Sequence, residues 1–305
     1  MNSKTRLSIA RESGRLALTA ECLPPRGADT ESIKRMAACF PPALDAVVIA
    51  ENPGQVRSSA MACAAMLAAA GLEPILPLVT RDRNRIALES EVLGSAAMGI
   101  KSFLCLTGEH RSLGSSPGAF DMDSVQLCQA LQLLSVQGLS FDGKKLPGAC
   151  EVSMGTGAYP YLRPMELNLL RLKKKVQAGA AFMLTQAVFD FPGFLDWMEA
   201  IRAVGIHRQT SIIASVLPLQ SLEQARHLQR VKTYGPVGDD VIARMAAAAD
   251  PAKEGLAICV EMARKLKSVP GLGGVHILCG GCEAVAAQVI QEAELAKAPM
   301  VNDHA

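Results

Sequence analysis

Apolar residues gather in eight short runs along the chain, and between those runs they recur at helical spacing. The runs are LTAEC at 18–22, AVVIA at 46–50, PILPLV at 74–79, SFLCLTG at 102–108, ACEVSM at 149–154, AFMLTQ at 181–186, SIIASVL at 211–217 and VHILC at 275–279. Runs this short and this continuously apolar predict strands covered on both faces, as in a parallel sheet. The intervening helices are predicted after Asp29, at 54–70, 83–98, 124–136, 164–177, 192–204, 221–230, 251–267 and 283–297. Several stop at a glycine (Gly71, Gly99, Gly138, Gly179, Gly205), which suits a helix C-terminus. Strands alternating with helices imply right-handed βαβ units, and eight of them imply closure into an α/β (β/α)8 TIM barrel, a single domain over 1–305. Two connections are long: EHRSLGSSPGAFDMD at 109–123, expected to cradle a ligand, and 138–147, expected on the opposite face.

Polar residues sit at the C-terminal ends of the runs. In order they are Glu21, Asn52, Thr80 with Arg81 and Asp82, Glu109, Ser153, Gln186, Gln220 with Gln224, and Cys279 with Cys282. A barrel carries its chemistry on that rim, so this placement predicts an active site there.

Composition narrows the class. Half of the 305 residues are apolar, enough for one large core. There is no long uncharged apolar stretch and no secretory h-region, so the protein is read as soluble and cytoplasmic, without a membrane partner. A net charge of +2 and only twelve aromatic residues give no reason to expect nucleic acid. Nine scattered cysteines do not form a disulfide framework and read mostly as small core thiols. Self-association into a homo-oligomer is compatible with this composition.

Glu21, in AECLPPRG, stands on a strand among apolar residues, a setting that raises a carboxyl's pKa and makes it a general acid; the competing reading is an ion pair with Arg26. In TRDRNR at 80–85, guanidinium groups meet a helix start, where an anion can bind, unless Asp82 simply caps the helix. In LCLTGEH, Thr107 and Gly108 allow close backbone approach and Glu109 projects over the mouth, the alternative being a solvated loop carboxylate. Lys175 ends the run of three lysines at 173–175, ordinarily a solvated helix face. Gln186, ending an apolar strand, is suited to hydrogen-bond a ligand or to sit as a satisfied core amide.

The blocks AECLPPRG, DAVVIAENPGQVRSS, GLEPILPLVTRDRNRIALESEVLGSAAMGIKSFLCLTGE, LKKKVQAGAAFMLTQAVFD, IIASVLPLQSLEQA and GVHIL, taken together, resemble the methylenetetrahydrofolate reductases of the short bacterial type, over nearly the whole chain. The resemblance implies FAD at the C-terminal rim and reduction of 5,10-methylenetetrahydrofolate to 5-methyltetrahydrofolate, or the reverse oxidation, with NAD(P)H or a protein as electron donor. It implies that Glu21 is the general acid that opens the folate ring to an iminium, which a hydride from flavin N5 reduces. Glu109 corresponds to a carboxylate near the flavin and pterin, usually Asp in the family. Gln186 and Gln224 correspond to folate-contacting amides; Tyr159, Asn168 and Lys175 lie along the flavin's phosphate and adenosine side. The same resemblance sets Thr80, Arg81, Asp82, Thr107, Gly108, Ser153 and Gly155 along the cofactor. Leu228 and Leu278 replace aromatic residues that some relatives place against folate.

The last strand departs from the pattern by ending HILCGGCE. Two thiols, Cys279 and Cys282, near a helix start predict accessible, redox-active groups, the competing reading being inert small residues. CGGC also resembles the zinc-thiolate strand of barrel methyltransferases, but a lone C-x-x-C lacks further ligands, so no metal is assigned. A barrel subunit that relays electrons to a partner protein is the remaining alternative.

Overall fold

The computed structural model describes residues 4–108, 117–148, 150–231, 235–296 and 298–301. Eight parallel strands close into a barrel in sequence order: β1 (Ala17–Cys22), β2 (Ala46–Ile49), β3 (Pro74–Val79), β4 (Ser102–Leu106), β5 (Ser153–Ala158), β6 (Phe182–Ala187), β7 (Ser211–Val216) and β8 (Gly274–Ile277). The seam closes by pairing Thr19 with Ala46 on one side and with His276 on the other. Around the strands run α1 (Arg6–Glu12), α2 (Thr30–Cys39), α3 (Ala60–Ala69), α4 (Arg85–Ala97), α5 (Ser124–Gln137), α6 (Met165–Gln177), α7 (Phe191–Ala203), α8 (Ile206–Gln209), α9 (Leu222–Val231), α10 (Asp239–Ala247), α11 (Pro251–Leu266) and α12 (Val285–Glu292). No helix among the described residues is long and apolar enough to cross a membrane.

Alternation along the strands divides the core. Inward side chains such as Val48, Ile75, Leu104, Phe182 and Ile213 fill the barrel, and Leu7 and Ala10 of α1 join them, plugging the N-terminal end. Outward side chains, among them Leu18, Val47, Leu76, Phe103, Met183 and Ile212, meet Leu67, Leu88, Leu131 and Trp197 from the helices. A smaller apolar cluster beside β7 joins Leu217, Leu219, Ala225 and Leu228 to Val241 and Met245. With the bottom plugged and both layers packed, the open end is the C-terminal mouth.

Local chemistry fixes the helix starts. Asp123 caps α5 in a reciprocal box with Gln126, and Gly138 ends that helix in the left-handed conformation. Asn84, rather than Asp82, caps α4 by accepting from the Ala87 amide at 3.0 Å. The 138–147 connection lies by Lys101 and Glu151, below the starts of β4 and β5, as expected.

One strand is displaced from the predicted run. β5 is SMGTGA, four residues beyond ACEVSM, so Ser153 begins the strand instead of ending it; its amide donates to Lys101 O at 2.7 Å. The true strand reads poorly because two of its residues are glycine. Gly155 is required: a Cβ there would stand 2.2 Å from the Phe182 ring, which fills the barrel at that level.

Candidate active site

At the mouth a cavity of about 290 Å³ is lined by the strand ends, including Glu21, Glu51, Leu106, Gln186, His276 and Leu278. Glu21 is the penultimate residue of β1; its Oε2 accepts from the Gly280 amide at 3.1 Å. Burial raises the Glu21 pKa above the usual carboxylate range, and nearby Glu283 adds to this, while the Gly280 amide and Arg57 oppose it. His276 lies within hydrogen-bond distance of Thr19, 2.9 Å from Nδ1 to Oγ1, and burial pulls it down to about 4. It is therefore a neutral imidazole near neutral pH.

Glu51, just past β2, has a buried side chain whose carboxylate accepts from the Val79 amide at 3.2 Å and from Arg83. Arg83 also pairs with Glu91 at 2.8 Å. Burial raises Glu51 and Arg83 opposes this, so the group ties the ends of β2 and β3 to α4.

A second cavity of about 410 Å³ lies between α5 and α6, and Leu106, Gly157 and Tyr159 border both spaces. Its lining includes Thr107, Asp123, Asn168, Arg171, Lys174 and Lys175, three cations against one carboxylate. Lys175 turns inward: its Nζ donates to Gly157 O at 2.6 Å and sits 5.5 Å from the centre of the Tyr159 ring. Burial lowers the Lys175 pKa. Asn168 is buried, and its Nδ2 donates to Tyr159 O at 2.8 Å and to Leu162 O at 3.3 Å, fixing the chain after β5. Thr107 Oγ1 accepts from the Ser124 amide at 3.1 Å at the start of α5.

The structure thus sorts the expected residues. Glu21, Gln186 and Leu278 meet at the mouth; Thr107, Asn168 and Lys175 meet in the cleft; Tyr159 joins the two. Thr80, Arg81, Asp82 and Gly108 form a neighbouring rim that lines neither cavity. There Arg81 pairs with Asp82 at 2.7 Å, and Thr80 Oγ1 donates to Thr107 O at 3.4 Å. Gly108, at φ +84°, leaves no room for a Cβ, which would lie 2.8 Å from Val79 Cγ1. Gln224 does not reach the mouth cavity: its Oε1 accepts from the Gln220 amide at 2.7 Å within its own turn. Leu228 is packed in the cluster beside β7. Ser153 and Gly155 are low on β5, away from both cavities, because the strand begins later than its apolar pattern suggests. Glu109 lies outside the described residues.

The cysteines also differ from expectation. Cys279 is buried, its thiol held 3.5 Å from Ile277 O and pushed up by burial, so it is neither accessible nor readily ionised. Cys282 is exposed, but α12 begins three residues later, at Val285. Glu51 and Glu283 were not singled out from sequence. Glu51 stands two residues past β2, the position that marked the others, whereas Glu283 is six residues past β8 and 5% exposed in a loop otherwise without charge.

Comparison with known proteins agrees with this geometry. The chain is 26% identical to the 5,10-methylenetetrahydrofolate reductase of Pectobacterium carotovorum subsp. carotovorum over 226 residues, 71% of this chain and 69% of that one. It is 25% identical to the enzyme of the same name from Salmonella typhimurium over 228 residues, 72% and 70% of the two chains. Among solved structures, an uncharacterized Clostridium thermocellum protein that binds two copies of 5-methyl-5,6,7,8-tetrahydrofolic acid shares the fold with a TM-score of 0.67 at 14% identity, covering 95% of this chain and 99% of that one. The family model for methylenetetrahydrofolate reductase matches residues 6–294, nearly the whole barrel, and the chain belongs to that family.

Proposed function

We propose that the protein interconverts 5,10-methylenetetrahydrofolate and 5-methyltetrahydrofolate using FAD, with Glu21 as the general acid. The observation that carries this reading is a buried carboxyl at the barrel mouth, its pKa raised by that burial, beside a cationic cleft that shares Leu106, Gly157 and Tyr159 with the mouth. The cleft's donor set fits FAD: Arg171, Lys174 and Lys175 suit a diphosphate, and the lining residues Asn168 and Thr107 would lie along a ribose or adenine. The two cavities share Leu106, Gly157 and Tyr159, so an elongated ligand reaching from one to the other would run along these residues. Held by these residues, FAD would supply hydride chemistry.

The chain's own residues do the rest. Glu21, protonated, donates to a folate nitrogen so that the methylene bridge opens to an electrophilic iminium; in the reverse direction its carboxylate takes the proton back. The apolar wall formed by Leu106 and Leu278 limits water there, which strengthens the field of each fixed dipole. Gln186 offers a neutral amide to the pterin, and His276 remains an uncharged polar wall.

The zinc-thiolate alternative lacks such support: among the described residues no group of three His, Cys, Asp or Glu is placed to hold a metal ion. Purification gives the first test. A yellow flavin spectrum together with oxidation of pre-reduced protein by methylenetetrahydrofolate supports the reductase. Flavin without any folate reaction supports a relay subunit, and bound zinc without flavin the methyltransferase. Rapid mixing with NADH, NADPH or a reduced protein donor identifies the electron source.

A further inference from the structure

The CGGCE segment at 279–283 is unexplained by the reaction itself, yet it bonds both the acid and the chain just beyond it. The Gly280 amide donates to Glu21 Oε2 at 3.1 Å, and Glu283 Oε1 accepts from the Leu23 amide, two residues beyond Glu21, at 3.2 Å. The turn closes on itself through the Cys282 amide and Cys279 O at 3.0 Å. Gly280 and Gly281 adopt φ +59° and +90°, and a Cβ at Gly281 would press on Leu23 Cδ2 at 3.3 Å. Side chains rarely take that backbone, so the paired glycines are what let the loop fold back over β1.

We propose that the 279–283 loop is the positioning element for Glu21: the Gly280 amide holds the carboxyl, and Glu283, a second buried carboxylate, fastens the loop to the end of the same strand at Leu23. The proposal rests on the reading of Glu21 as the acid. Glu283 is buried where its loop crosses the end of β1, so a charge placed there acts on the neighbouring acid with little intervening water. Burial is the largest cause of the raised Glu21 pKa, and Glu283 acts in the same direction. Arg57, before α3, opposes it, as do the Gly280 and Cys279 amides. The other groups near this seam are the thiols of Cys22, Cys63 and Cys279, the neutral His276, and Glu51 across the mouth cavity. Glu283 and Arg57 are thus charges of opposite sign acting on one carboxyl.

The test follows the Glu21 carboxyl directly, by the infrared carbonyl band of its protonated form, assigned by its loss in Glu21→Gln, alongside the pH profile of the folate half-reaction. Glu283→Gln keeps the acceptor for Leu23 but removes the charge. The band should then fade at lower pH, and the rate on the alkaline limb should fall about five- to tenfold. Glu283→Ser, smaller and also uncharged, should move both in the same direction, so either folded variant decides. Arg57→Gln should move both toward higher pH. A band midpoint unchanged in the Glu283 variants, or moved alike by Glu283→Gln and Arg57→Gln, overturns the proposal. Undiminished folate reaction in Glu21→Gln overturns the reading of Glu21 instead, and the two failures are thereby separable.

Discussion

The two cavities meet at Leu106, Gly157 and Tyr159, yet they are built from opposite materials. The mouth is walled by strand-end aliphatics with a few enclosed polar groups whose protonation is shifted: Glu21 upward, Glu51 upward, His276 downward to about 4. The cleft between α5 and α6 is lined by helix side chains and carries Arg171, Lys174 and Lys175. Burial in the mouth tunes proton affinity, which is what proton transfer requires. Charge in the cleft supplies attraction for an anion without shaping any reacting atom. Chemistry and cofactor retention should therefore separate by mutation.

The largest effect is expected from Glu21→Gln, which should leave flavin bound and reducible while slowing the folate half-reaction by about a hundredfold or more, the scale of a lost general acid. Comparable loss of flavin would break the separation. The pH profile sharpens it. Because burial raises the Glu21 pKa, wild-type folate reduction should decline as pH rises through that raised value, above the range of an ordinary carboxylate. Glu21→Gln should lack that limb.

Lys175→Ala tests the other side. Removing its enclosed ammonium should weaken flavin binding by roughly 1.5–3 kcal/mol, about ten- to hundredfold in Kd by dialysis or fluorescence titration. Turnover of the flavin-saturated variant should change much less. Gly108→Ala, on the rim beside the mouth, should destabilise the protein by about 1–3 kcal/mol in denaturant unfolding, since its backbone is left-handed and Val79 and Arg81 crowd the added methyl. The smallest effect is expected for Cys282→Ser: the exposed thiol touches neither cavity lining, so flavin retention and the folate half-reaction should both stay within about twofold.

The barrel was legible because seven strands announce themselves as apolar runs, and Glu21 and Gln186 because they end two of those runs. β5 was misplaced for a definite reason: Gly155 yields its volume to Phe182 on the next strand, a tertiary demand that no local pattern records. α1, α8 and α10 were missed as elements, although α1 supplies the plug at the barrel's base. Lys175 could be separated from Lys173 and Lys174 only by the turn of α6 toward Gly157 O. Gln224 satisfied the positional pattern but spends its amide on its own turn. Glu283 and the glycines before it have meaning only across the seam between β8 and β1, which joins the ends of the sequence.

The central claim is that a protonated Glu21 at the mouth delivers a proton to folate while reduced flavin is held from the cleft. Anaerobic mixing of reduced, flavin-loaded wild type and Glu21→Gln with 5,10-methylenetetrahydrofolate, following flavin absorbance and 5-methyltetrahydrofolate, tests it most directly. The account predicts rapid flavin reoxidation with stoichiometric product in the wild type, and reoxidation about a hundredfold slower or more in the variant. Equal rates in the two proteins, or reoxidation without the methyl product, would contradict it.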